Sequence, residues 1–367
     1  MKKRVLQVLP SLNVGGVERG VVDLSRLSLN SHYKFIVASN GGKMLPELQK
    51  LGIKHIEFNL KSKNPINIIK NIFILAKICD RLKIDILHCR SRSVAWSGYF
   101  AYKLLKRKIK FVTTFHGIYS FNFPLKKFYN GIMLKGQRVI AVSNFVKNHM
   151  LQNYRVDEKK IVVVNRGVDE HYFSPAKARV SKEYKGKKLI FVPARISRWK
   201  GQELLIEALS SISDENFLCL MVGSVGESAF GKELQDKINQ HGLQEKIKII
   251  ESQSDIRPLY KASSFVVIPS LRPEAFGRIA IEAGSMGKFV IAFNYGGVAE
   301  TILDGKTGSL VAPHNKQELS QKIKEALNFD EQKLSQIALQ ARNHIVANYR
   351  LQKMFDETIK VYDSLIK

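Results

Sequence analysis

The sequence predicts an α/β protein built from two doubly wound parallel-sheet domains, and three observations carry that prediction. Short apolar runs alternate with longer helical stretches along all 367 residues. Most of the runs are continuously apolar, which suits strands buried on both faces of a parallel sheet. The pattern also occurs twice, on either side of a polar, basic stretch at 175–188 that reads as a linker. The length suits two domains at roughly 100–200 residues each.

Taken in order, the first half offers strands at 4–9, 33–39, 53–58, 84–89, 111–115, 138–142 and 161–164. The second half offers strands at 189–193, 217–222, 247–251, 265–268, 289–292 and 309–311. Helical segments fall between them, for example 201–212, 231–241 and 317–326. Alternation of this kind marks βαβ units and doubly wound sheets. The last stretch, 344–367, is helical and carries Tyr349, Met354, Phe355, Ile359, Tyr362 and Leu365, an apolar set able to cover a domain. The domains are placed at 1–175 and 176–345, with a terminal helix at 346–367 expected to return to the first.

Composition excludes several classes. Apolar residues make up 45% and charged residues 25%, the balance of an ordinary globular chain. Three widely spaced cysteines, Cys79, Cys89 and Cys219, give neither a disulfide framework nor a Cys-rich zinc site, and fit a reducing cytosol. No apolar run approaches the ~20 residues that span a bilayer. The basic start lacks a signal-peptide core, which points to a cytoplasmic protein. The charge is unusual. Net charge is +27, and residues 1–180 hold 33 Lys/Arg against 10 Asp/Glu. No acid occurs between Asp85 and Asp157. That half is expected to face something anionic: nucleic acid, an acidic membrane surface or a phosphorylated acceptor.

Ligands of open α/β sheets bind beyond the carboxyl ends of strands, so the loops there carry the argument. Gly15 and Gly16 follow the first strand, where a glycine pair opening a helix either presents N–H groups to an anion or simply makes a tight turn. The G-x-G-x-x-G fingerprint is absent. Arg195 and Lys200 follow the strand at 189–193, placed either to grip a diphosphate or as a solvated basic loop. The strongest segment follows the strand at 265–268 and runs from Pro269 through Glu274, Ala275, Phe276, Gly277, Arg278 and Ile279 to Glu282. Gly277 permits close backbone approach, and the helix start at 277–279 offers free N–H groups to phosphate. One of the carboxylates Glu274 and Glu282 can then reach a sugar while the other hydrogen-bonds a ribose. No D-x-D metal motif is present, so no metal is expected.

These residues carry a resemblance. Glu274 and Glu282 form E-x7-E, and Arg195 with Lys200-Gly201 forms R-x4-K-G. With Gly15-Gly16, Thr114-Phe115-His116-Gly117, Ala141-Val142-Ser143, Asn165-Arg166-Gly167-Val168-Asp169 and Asn294-Tyr295-Gly296-Gly297-Val298-Ala299-Glu300, the chain resembles the retaining family 4 glycosyltransferases of GT-B fold, such as those of lipopolysaccharide synthesis. The resemblance spans nearly the whole chain, and Arg166 departs from the usual N-G-V-D. It implies two Rossmann-like domains facing across a cleft, the first binding acceptor and the second a nucleotide-sugar donor, which serves as co-substrate. Arg195 and Lys200 would bind the diphosphate and stabilise its charge, Gly16 would donate to the distal phosphate, and Glu274 would hold sugar hydroxyls. Glu282 would hold the ribose, the backbone of Phe276–Ile279 would close over the phosphates, and His116 would face the sugar or the acceptor. The expected reaction is metal-independent transfer with retention, a donor phosphate oxygen taking the acceptor proton.

The acceptor side reads from Tyr119, Phe121, Phe123, Lys126 and Lys127, an acid-free mixture of aromatics and lysines. It suits either an interface with lipid and anionic headgroups or a packed loop. The expected partners are an anionic glycolipid or saccharide acceptor, such as a lipopolysaccharide core intermediate, and the anionic inner membrane surface. Two other functions compete: a UDP-sugar 2-epimerase of the same fold, and a nucleic-acid-binding protein motivated by the charge, although no RNP, KH or zinc-finger pattern is present.

Overall fold

The structure is a computed structural model and describes residues 2–13, 15–62, 64–180, 182–184, 186–224 and 229–366. It divides into two compact units, Met1–Arg166 with Leu351–Lys367, and Gly167–Arg350.

The first unit runs β1 (Lys3–Val8), α1 (Gly16–Ser28), β2 (Tyr33–Ser39), α2 (Leu45–Lys50), β3 (Lys54–Glu57), α3 (Pro65–Arg81), β4 (Ile86–Cys89), α4 (Arg92–Leu104), β5 (Lys110–Phe115), α5 (Pro124–Gly131), β6 (Arg138–Ala141), α6 (Asn144–Asn153) and β7 (Ile161–Val163). The second runs β8 (Leu189–Pro193), α7 (Gln202–Ser210), β9 (Leu218–Val222), α8 (Ala229–Gln240), β10 (Ile247–Ile250), α9 (Arg257–Ala262), β11 (Phe265–Ile268), α10 (Arg278–Ser285), β12 (Phe289–Phe293), β13 (Gly308–Val311), α11 (Lys316–Leu327) and α12 (Glu331–Asn348). The closing helix α13 (Leu351–Ile366) returns to the first unit.

Every strand read from the sequence is present, within a residue or two at each end. Among the described residues the first sheet has the order β3-β2-β1-β4-β5-β6-β7 and the second β10-β9-β8-β11-β12-β13. All named pairings are parallel, so each unit is a Rossmann-like doubly wound sheet. The strand order reverses between β1 and β4 and between β8 and β11. At those points the loops beyond the carboxyl ends open a crevice, and the motifs after β8 and β11 flank the second one.

Local signals set the helices. Asn64 caps α3 by accepting from Ile66 N at 2.9 Å, ahead of Pro65 at the first helical position. Ser143 caps α6 through Val146 N. The apolar face of α13 explains its return. Leu351, Met354, Phe355, Ile359 and Tyr362 are buried with Val5, Phe35, Ile86, Val112 and Ile140 of the first sheet. Burial of each large side chain contributes roughly 1.5–3 kcal/mol. The Tyr33 hydroxyl donates to Asp363 at 2.7 Å, and Tyr362 shares a 2.6 Å hydrogen bond with His88 Nδ1. The basic stretch at 175–188 lies inside the second unit, because Ala178 and Tyr184 are buried in its core.

Candidate active site

The site is built first on the loops after β8 and β11. Gly201, at φ 75°, ends the β8 loop and starts α7; a side chain there would overlap the Pro269 carbonyl at the end of β11. Leu271 N donates to Trp199 O at 2.8 Å, tying the two loops together. A third loop, after β12, holds the β11 loop from its other side. Glu274 N donates to Tyr295 O at 3.2 Å, and Gly297 N donates to Glu274 O at 2.7 Å. The backbone of Glu274 is therefore held at both its polar groups.

The side chains follow from this frame. Lys200 is 8% exposed. Its Nζ donates to Glu274 Oε1 and lies 4.1 Å from the centre of the Trp199 ring. Ser270 Oγ donates to the same carboxylate oxygen at 2.7 Å. A buried cation and carboxylate persist only when paired and further hydrogen-bonded, as here. Arg198 turns away to Glu233, with its guanidinium 4.8 Å over Phe230. Arg195 is exposed; its carbonyl accepts from Gln202 Nε2 at 2.9 Å, while its guanidinium has no hydrogen-bond or ion-pair partner among the described residues and is available to a ligand.

Gly277, at φ 95°, precedes α10 and lets the turn pass Val298, which a Cβ would strike. The first N–H groups of α10, from Arg278 onward, have no side-chain cap. Ala275 and Phe276 lead into the turn, and the Phe276 ring is buried against Tyr349, 5.7 Å between centres. Glu282 is mostly buried, accepting from Arg278 at 3.1 Å and from the Tyr260 hydroxyl at 3.3 Å. Ile279 packs against the core of the second unit.

In the first unit, Gly15 and Gly16 open α1 as expected. The Glu18 carboxylate lies where a Gly15 side chain would be, against the helix start, where a negative group is favoured. His116 follows β5. Arg166 Nη2 donates to His116 Nδ1 at 2.8 Å and to Gly16 O at 3.2 Å. Since an arginine only donates, His116 Nδ1 accepts, and the neutral ring carries its proton on Nε2. Burial, with Arg166 and Arg90 adding repulsion, holds the His116 pKa well below the usual histidine range. Nε2 is buried and has no partner among the described residues, leaving a donor aimed at nothing. Arg166 thus connects the glycine turn to His116, a link invisible in the sequence because 150 and 50 residues separate the partners. Ser270, to which the sequence assigned no role, lies four residues before Glu274 and bonds to its carboxylate.

The acceptor-side segment divides. Tyr119 packs on Phe115, its ring 4.2 Å from the Arg92 guanidinium, and burial pushes its pKa up to about 12. Phe121 packs edge-on to Tyr154. Phe123 is exposed, Lys126 is half-buried, and Lys127 Nζ lies 5.4 Å over Phe121.

Known proteins match this arrangement. A family model described as Glycosyltransferase Family 4 matches residues 14–172, and one described as Glycosyl transferases group 1 matches 173–344. A solved glycosyltransferase from Rickettsia africae is 40% identical, with a TM-score of 0.92 over 100% of this chain and 99% of its own. The chain belongs to the family 4 glycosyltransferases. An uncharacterised glycosyltransferase of Methanocaldococcus jannaschii is 26% identical to this transferase over the full length of both chains. HepE of Anabaena, solved with UDP-glucose, shares the fold at 22% identity and a TM-score of 0.83, covering 99% of each chain. The transferase therefore has the GT-B fold.

Proposed function

We propose that this transferase moves a sugar from a nucleotide-sugar, a UDP-sugar, to an anionic glycolipid or saccharide acceptor, with retention and without a metal. A lipopolysaccharide core intermediate fits this acceptor class. The observation that carries the reading is the Lys200–Glu274 pair with Ser270 at the switch point of the second sheet, beside the uncapped start of α10. A departing sugar leaves an anionic diphosphate, and preorganised cations and helix N–H groups stabilise that charge. Lys200 and the unpartnered Arg195 supply the cations, and the turn at Phe276–Ile279 supplies the N–H groups. Glu274 neutralises Lys200. A bound diphosphate competes for the ammonium and frees Glu274 to accept from sugar hydroxyls. Glu282, already oriented by Arg278 and Tyr260, accepts from the ribose. In the first unit Gly16 offers its N–H to phosphate, and the Nε2–H of His116 is the donor for a sugar or acceptor hydroxyl.

The basic first unit supports docking to the inner face of an anionic membrane. No helix among the described residues is long and apolar enough to cross one. A basic residue near an anionic leaflet contributes ~1 kcal/mol within a Debye length.

Two experiments test the reading. UDP-glucose, UDP-N-acetylglucosamine and GDP-mannose are compared by thermal shift, since tight binding raises apparent stability. A UDP-sugar should give the largest shift, and Lys200→Ala should abolish it. Preference for GDP-mannose would replace the base assignment, and conversion of the UDP-sugar to its isomer without transfer would make the protein an epimerase. Sedimentation with phosphatidylglycerol vesicles but not phosphatidylcholine vesicles, weakened by neutralising Lys126 and Lys127, tests the membrane partner. Equal sedimentation with both vesicles, or with neither, would remove it.

A further inference from the structure

We propose that a cavity in the helical layer of the first unit binds one molecule of an anionic phospholipid. The cavity measures about 750 Å³, within the range of roughly 300–1,000 Å³ typical of small-molecule sites. Its wall is built by α4, α5 and the segments leading into β6 and β7. Those segments, around Lys135 and Lys160, meet the amino ends of their strands, whereas His116 follows the carboxyl end of β5. The cavity is therefore not part of the crevice that holds the transferase residues.

Its chemistry is two-sided. Trp96, Phe100 and Phe128 give an aromatic wall, with ring centres 6.1 Å and 5.7 Å from Trp96. Four cations also line it: Lys127, Lys135, Arg155 and Lys160. All four are exposed, and none has an ion-pair partner among the described residues. One acid, Asp157, also lines the cavity, its carboxylate accepting from Lys159 N at 3.0 Å, and it offsets one of the four charges; Glu158 is paired with Lys147 at 2.7 Å, so the rim stays net positive. Phe128 is 71% exposed and Leu125 75%, and Phe100 and Leu104 are exposed four residues apart on α4. An aromatic recess with a net positive rim, opening among exposed apolar side chains, matches an acyl chain beneath a phosphate headgroup. A free phosphate would leave the aromatic wall wet. A neutral lipid would leave the net positive rim unmatched. The proposal rests on the membrane reading for its source of lipid and adds a saturable, single-molecule site to it.

Gly131 allows a clean test. It lines the cavity at φ −59°, and a Cβ there would meet no atom within 4 Å. Gly131→Phe therefore starts from an unhindered Cβ, adds bulk to the cavity lining and leaves every surface charge in place. The chain has two tryptophans, Trp96 in the cavity and Trp199 in the second unit. A Trp199→Phe background makes Trp96 the sole emitter. The probe is short-chain phosphatidylglycerol with brominated acyl chains, kept below its micelle concentration. Saturable quenching of Trp96 is expected, with phosphatidylcholine binding at least about tenfold more weakly, inorganic phosphate failing to compete, and Gly131→Phe losing about tenfold or more in affinity. Neutralising Lys127 and Lys160 should erase the headgroup preference but keep the quenching. Equal quenching in Gly131→Phe, equal affinity for the two lipids, or stronger competition by single-stranded RNA would overturn the site. Vesicle sedimentation without monomer quenching would leave the membrane reading standing and remove the cavity. Monomer quenching without sedimentation would do the reverse.

Discussion

Gly20→Ala should reverse the sign of its effect depending on residue 166. Gly20 lies inside α1, where glycine ordinarily costs about 1 kcal/mol against alanine. On helix propensity alone, the substitution stabilises. A Cβ at Gly20 would stand 2.5 Å from Arg166 Nη1 and 3.2 Å from its Cζ. The guanidinium must move, and its bonds to His116 and Gly16 O lengthen or break. A hydrogen bond to a charged group contributes roughly 1.5–3 kcal/mol. Losing one outweighs the helix gain by about 1 kcal/mol, and losing both by about 3–4 kcal/mol. In an Arg166→Gly background the obstacle is gone, and Gly20→Ala should stabilise by about 1 kcal/mol. The assay is urea unfolding of the four proteins, followed by a probe of the first unit because two units need not unfold together. The coupling between the two positions is read as a double-mutant cycle. A Gly20→Ala effect of the same sign in both backgrounds would refute the account of Arg166 and of the glycine inside the helix.

Three further expectations follow from the same geometry. Burial holds His88 and His116 well below the ordinary histidine pKa of about 6.5, so the unfolded chain binds protons there that the folded chain refuses. Stability of the first unit should be complete above about pH 6.5 and fall as pH drops below it, by at most about 2.7 kcal/mol per pH unit for the two sites. A profile unchanged between pH 7.5 and pH 5 in urea unfolding would contradict that. Tyr362→Phe strands buried His88 Nδ1 and should cost about 1–3 kcal/mol, loosening α13 from the sheet; unchanged protection of α13 in hydrogen exchange would argue against it. Transfer activity should survive EDTA, because the proposed site assigns the leaving-group charge to Arg195 and Lys200. Loss on chelation with recovery on adding Mg²⁺ or Mn²⁺ would overturn that assignment.

The strands were legible because β8 and β11 are buried on both faces and read as unbroken apolar runs, and β1 and β4 are largely apolar, each interrupted by one buried polar residue, Gln7 and His88. Lys200, Glu274 and Gly277 were legible because each lies close to a strand end, where a short local motif sets the turn. The pairing of Lys200 with Glu274 was not, since 74 residues separate them and only strand order brings their loops together. Arg166 stood out as a departure from pattern, but its partners come from β5 and α1. The aromatic segment after His116 left two readings open, and the structure divides it: Tyr119 and Phe121 pack, whereas Phe123 and Phe128 face outward. Trp96 lies on α4, a helix away in sequence, so no local pattern joined it to Lys127.

Retaining transfer at the proposed Lys200–Glu274 site is open to proton NMR of the reaction with an α-linked UDP-sugar. The wild-type enzyme should give a growing α-anomeric product signal. Glu274→Ala and Lys200→Ala should each slow it by ~10²–10³-fold, the usual effect of removing one charge-stabilising group, while remaining folded. A β-anomeric product, or turnover near wild type in either variant, would contradict it.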